Sequence, residues 1–147
     1  MGLPDLPPEA VAIGVVVDDW RSAVRAAGDV LAGAGFTTPE YADEMIRMIE
    51  EHGPYVVIAP GLALAHARPG PAVLRDGIAV VTLAAPVDFG HPYNDPVTVV
   101  VALAVVSSEA QIALVAELAN VFNDSTAITD LASAGSVDDV RRILGES

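Results

Sequence analysis

Three histidines, His52, His66 and His91, are the side chains of this sequence best suited to chemistry at neutral pH. Imidazole titrates near neutrality, so it can serve as base, acid, nucleophile or metal ligand. Composition narrows the other options. Cysteine is absent, which excludes disulfides, thiolate zinc sites and cysteine nucleophiles. Lysine is absent too, all seven basic residues being arginine, so a Walker-type phosphate loop and Schiff-base chemistry are excluded. No G-x-S-x-G, G-x-G-x-x-G or H-E-x-x-H pattern occurs.

His66 has the most informative surroundings. The run Ala59-Pro60-Gly61-Leu62-Ala63-Leu64-Ala65-His66-Ala67 sets one imidazole among uncharged, mostly small side chains. Small residues let a ligand approach the backbone, whose N–H groups can hold phosphate oxygens. Arg68 follows as a charge partner. A half-buried histidine with both nitrogens satisfied would read the same way. His52 follows Glu50-Glu51 at a helix end, where it is either a C-terminal cap or a functional group. His91 sits in the polar connection from Asp88 to Pro96, where loop hydrogen bonds are the alternative to a functional role. Separations of 14 and 25 residues between the histidines match no compact ligand motif, so no metal is expected. Arg47 either pairs with Asp43 and Glu51 along its own helix or serves a functional site, and Gln111 is expected to close a capping box with Ser108.

The elements that must position these groups follow from periodicity. Val11–Val17 reads as a strand covered on both faces, with Asp18 as the cap of the helix after it. That helix carries Trp20, Val24, Ala27 and Leu31 at helical spacing and stops at Gly33 and Gly35. Thr37-Thr38-Pro39-Glu40 starts a second, with Ala42, Met45, Ile46 and Ile49 as its apolar stripe and Gly53-Pro54 as its end. Tyr55–Ala59, Leu62–His66, Ile78–Ala84 and Val97–Val106 read as strands. A third long helix follows with Ile112, Val115, Leu118 and Phe122 inward. A short one over Ser125–Ala134 and a last one capped by Ser136 and Asp139 complete the chain. The last is expected to turn Val137, Val140 and Leu144 inward. The pattern predicts an α/β fold: a single domain over residues 1–147, with a central mixed sheet flanked by helices on both faces. Short connections between consecutive strands require the sheet to be mixed, because parallel neighbours need long crossovers.

A length of 147 residues suits one core. A mean hydropathy of +0.48 with no apolar run near 20 residues points to buried strands, not a membrane span. A net charge of −13 repels nucleic-acid phosphates and anionic lipid. The N-terminal residues lack the basic and apolar regions of a signal peptide, so a soluble, cytoplasmic protein is expected.

The run from Glu51-His52-Gly53-Pro54-Tyr55 to Leu64-Ala65-His66-Ala67-Arg68-Pro69 resembles the enzyme IIA component of the bacterial phosphoenolpyruvate-dependent sugar phosphotransferase system (PTS), fructose–mannitol class. So do Val81-Thr82-Leu83 and Asp88-Phe89-Gly90-His91-Pro92-Tyr93-Asn94-Asp95-Pro96-Val97. The likeness spans nearly the whole chain and is strongest to the ascorbate-type members. It implies that His66 is phosphorylated on Nε2 by the histidine-containing phosphocarrier protein and passes the group to a cysteine of a IIB component. The IIB component in turn phosphorylates a sugar, or ascorbate, during uptake. Arg47 and His52 fall on the class's arginine and the ascorbate-type histidine; Arg68, His91 and Gln111 are further candidates for phosphate or partner contacts. No metal, nucleotide or other cofactor is implied, and the ascorbate type implies a homodimer. The alternative is a regulatory domain whose phosphorylation state is read by a partner. Two departures stand out: Ala65 replaces the usual proline before the histidine, and Gln111 lies where many relatives have a second histidine.

Overall fold

The computed structural model describes residues 6–124 and 126–144. Its centre is the strand β5, Val97–Ala104, a β-branched run in which every residue but Thr98 is buried. Continuous burial without alternation means that both faces of the strand are covered. The other strands are β1 (Val11–Val15), β2 (Val57–Ala59), β3 (Leu62–Ala65) and β4 (Gly77–Val87). They form one sheet in the order β1-β4-β5-β3-β2. β4 pairs antiparallel with β5 and β2 with β3, whereas β1 with β4 and β3 with β5 are parallel. The mixed sheet expected from the short connections is therefore present.

Five α-helices complete the described residues: α1 (Trp20–Gly33), α2 (Glu40–His52), α3 (Ser108–Phe122), α4 (Ala127–Ala132) and α5 (Val137–Ile143). A short 3₁₀ turn, Pro8–Ala10, precedes β1. α1 packs on β4 and β5 with α2 beside it, and α4 packs on the same two strands with α3 and α5 beside it. α1 and α2 touch through Gly28, where a Cβ would lie 2.5 Å from the Cβ of Ala42. α2 buries Ala42, Met45, Ile46 and Ile49, as its periodicity predicts, and Tyr41 as well.

Several expectations need correction. β1 is not covered on both faces; it is an edge strand with exposed or half-buried residues throughout. Among the described residues it has one neighbouring strand, its register slips between Ala12 and Val15, and Gly14 takes φ +68°. α1 is capped by Asp19, whose carboxylate accepts the Ser22 N–H at 2.8 Å, not by Asp18. α3 is capped by Ser107, whose hydroxyl accepts the Ala110 N–H at 3.1 Å. That moves Gln111 out of the capping box; its N–H donates to the Ser107 carbonyl. The inward face of α3 is Leu114, Leu118 and Phe122, while Ile112 is exposed. This helix is apolar nearly all round, so periodicity alone could not select its buried stripe. Ser136 caps α5 as expected, accepting the Asp139 N–H, and Val140 and Leu144 are buried with Val137 at the margin. Ser125, the expected start of the short helix, lies outside the described residues, and α4 ends at Ala132.

Candidate active site around His66

Strand direction decides which groups meet. β3 and β5 run parallel with Ala65 opposite Ala102, so the residue after β3 and the entry to α3 lie at one end of the sheet. β2 runs antiparallel to β3, and Leu64 N–H donates to the Val56 carbonyl at 2.7 Å. The segment from His52 to Val56 therefore arrives at that same end.

His66 follows β3 directly and is half-buried. Its Nδ1 lies 2.9 Å from the Leu64 carbonyl oxygen. A carbonyl can only accept, so Nδ1 carries the proton and Nε2 of the neutral ring keeps its lone pair. The Tyr55 ring stands edge-on to His66 with centroids 5.7 Å apart, and His52 stands edge-on to Tyr55 at 6.4 Å. His52 thus adjoins the site through Tyr55. Partial burial pushes the Tyr55 phenol up, with the Arg68 cation opposing.

Beside His66, a depression of about 220 Å³ is lined by Glu44, Arg47, Met48, Glu51, Ala67 and Arg68. Of the two readings of Arg47, the pairing with Asp43 and Glu51 is not found among the described residues. Asp43 instead holds Arg25 of α1 at 2.6 Å, and Glu51 lies 3.9 Å from His52 Nε2. Among the described residues neither Arg47 nor Arg68 forms an ion pair. Two exposed guanidinium groups at one depression can take an anion, with Glu44 and Glu51 balancing their charge.

Tyr41 was invisible to motif reasoning. Its buried hydroxyl accepts the Ala67 N–H at 2.9 Å and lies 2.8 Å from the Leu103 carbonyl, to which it donates. That engages the first backbone N–H after His66, so Ala67 does not offer its N–H to a phosphate. The available signal was a tyrosine among α2's apolar positions, since a buried phenol needs a partner.

His91 is not part of this site. Its loop is folded on Asp95, whose carboxylate accepts the N–H groups of Phe89, Gly90 and His91. His91 Nδ1 accepts from the N–H groups of Tyr93 and Asn94, both at 3.1 Å. The loop joins Gly61, whose N–H donates to the Asn94 carbonyl, and Gly61 precedes β3 where His66 follows it. At about 3.3 Å per residue that places the His91 loop roughly 15 Å from His66, at the opposite end of the strand. Gln111 does enter α3 at the His66 end, and its Oε1 is buried without a hydrogen-bond partner among the described residues.

Residues 6–147 match the family model described as "Phosphoenolpyruvate-dependent sugar phosphotransferase system, EIIA 2". The chain belongs to this PTS EIIA family. Family membership makes it a phosphotransferase component of sugar transport. Among curated relatives, an ascorbate-specific PTS system EIIA component from Shigella boydii serotype 4 is 35% identical over 117 residues, covering 79% of this chain and 76% of the relative. One from Salmonella typhimurium is 32% identical over 136 residues, covering 92% and 88%. Of solved structures, the IIA mannitol protein of Escherichia coli superposes with a TM-score of 0.85 at 26% identity, covering 96% of this chain and 99% of that one. A complex of E. coli enzyme IIAMTL with phosphorylated enzyme IIBMTL gives 0.83 at 25%, covering 95% and 96%. The fold expected of a PTS EIIA protein, a mixed sheet between helices, is the one observed. No helix among the described residues is long and apolar enough to cross a membrane.

Proposed function

We propose that His66 is the phosphocarrier residue of this PTS EIIA protein, taking the phosphoryl group on Nε2. The observation that carries this reading is the Nδ1–H bond to Leu64, which leaves the Nε2 lone pair free, with Arg47 and Arg68 lining a depression next to the chain that follows His66. The donor is the phosphohistidine of the histidine-containing phosphocarrier protein. The Nε2 lone pair forms a P–N bond as the donor's P–N bond breaks and its electron pair returns to the donor ring. A cysteine thiolate of a IIB component then forms a P–S bond as the His66 P–N bond breaks. The protein's contribution is alignment and charge neutralisation, since phosphoryl transfer asks for little covalent work beyond the nucleophile. Arg47 and Arg68 hold the phosphoryl oxygens, Tyr55 stands edge-on to the His66 ring, and His52 backs Tyr55.

The whole chain, 1–147, acts as one cytoplasmic IIA domain on this reading. A IIB partner is supported by the solved IIAMTL–IIBMTL complex, and ascorbate as the transported substrate by the curated relatives' names. Purified protein incubated with phosphoenolpyruvate, the general phosphotransferase enzyme and the phosphocarrier should gain one acid-labile phosphoryl group. His66→Ala should abolish labelling while His91→Ala, altered at the far end of β3, should not. Labelling of His66→Ala would overturn the assignment. Onward transfer to a IIB cysteine separates the transport role from the regulatory one.

A further inference from the structure

We infer that Tyr41 is a positioning residue for phosphoryl transfer at His66, an inference that rests on His66 being the phosphorylated residue. Tyr41 lies in the first turn of α2 and is 1% exposed. Its hydroxyl joins three segments that are remote in sequence: α2 itself, the residue after His66 through the Ala67 N–H at 2.9 Å, and the end of β5 through the Leu103 carbonyl at 2.8 Å. A phenol can accept and donate at once only while protonated, and burial here pushes its pKa up to about 12.

The consequence is a two-sided restraint on the nucleophile. On one side the Leu64 carbonyl holds the ring through Nδ1. On the other Tyr41 holds the backbone of Ala67. Ala65 does not confine the backbone before His66 as a proline would, so the hold from the Ala67 side carries more of the restraint. The same bond also sets the distance between the His66 segment and α2, the helix that supplies Arg47. Tyr41 needs no contact with phosphate or the imidazole to matter: in-line transfer is sensitive to displacements of about 1 Å, which can cost on the order of a hundredfold in rate.

Tyr41→Phe keeps the ring and removes only the hydroxyl. We expect the variant to keep its far-UV circular dichroism, to label His66 about tenfold more slowly, and to show by ¹⁵N NMR a mixture of His66 tautomers where the parent shows the Nδ1–H form alone. Leu118→Ala, a core change in α3 away from the site, should lower stability yet leave rate and tautomer unchanged below its melting range. A Tyr41→Phe protein that keeps the parent rate and the single tautomer overturns the inference, as does an equal loss of rate in Leu118→Ala. If Tyr41→Phe does not fold, amide exchange in the parent protein decides instead. The Ala67 N–H should exchange about a hundredfold slower than an unstructured amide, and unprotected exchange overturns the inference. Labelling that survives His66→Ala would instead refute the phosphocarrier assignment, a result read separately from the tautomer spectra.

Discussion

The ring of His66 is held by its own strand: Nδ1 donates to the carbonyl of Leu64, two residues earlier, at 2.9 Å. The contact is short in sequence and needs no partner from another element. On the proposed function it directs attack on phosphorus to Nε2, because a nitrogen that carries the proton has no lone pair to give.

The first expectation concerns the site of the phosphoryl group. Phosphorylated protein should show, by ¹⁵N and ³¹P NMR, a phosphorus bonded to Nε2 and a proton retained on Nδ1. A phosphoryl group on Nδ1 would mean that the Leu64 bond breaks before transfer, contrary to the arrangement described.

Arg47 and Arg68 share the depression beside His66 and have no ion-pair partner among the described residues. Replacing either with Gln should slow single-turnover labelling of His66 by about tenfold, the lower end for losing a charge-stabilising donor because both are exposed. Unfolding midpoints should stay put. A double variant labelling at the parent rate would remove both arginines from the site.

Gly28 is a tight contact between α1 and α2, with Ala42 Cα 2.9 Å from where a Cβ would lie. Gly28→Val must push the helices apart and should cost about 1–3 kcal/mol, read as a lowered urea midpoint. Because α2 carries Tyr41 and Arg47, labelling should slow as well. An unchanged midpoint would show that the pair has slack.

Alkaline pH offers a test of Tyr41's burial. Its pKa rises from an ordinary value of 10.0 to about 12, chiefly because burial disfavours the phenolate. The folded protein therefore holds this proton more tightly than the unfolded chain. Stability from this group is complete below pH 10 and is lost as pH climbs towards 12, on the order of 2–3 kcal/mol in all. Urea midpoints measured between pH 9 and 12 should fall more steeply for the parent than for Tyr41→Phe. Parallel curves would mean that the phenol ionises as freely in the folded state as in the unfolded one.

Much of this protein could be read from its sequence because the signals are local. A helical stripe such as Ala42, Met45, Ile46 and Ile49, or a cap such as Ser136 with Asp139, is written within one or two turns. The histidine in its small-residue run was legible for the same reason, and the long motif around it carried the family. Neighbouring look-alikes were harder: Asp18 and Asp19, or Ser107 and Ser108, differ only in which one the backbone turns out of the helix.

What the sequence determined by itself was the order of elements, the mixed sheet and the family, with His66 as the candidate for its chemistry. Tertiary structure alone decided which side chains gather around it. Strand direction carried His91 to the far end of β3 and brought Tyr55 and His52 to the near one. Arg25 took Asp43 from another helix and left Arg47 without an ion pair among the described residues. Tyr41 met Ala67 across 26 residues. Such contacts depend on which strands neighbour each other and which way they run. Those choices come from the packing of the whole core, which periodicity within one element does not encode.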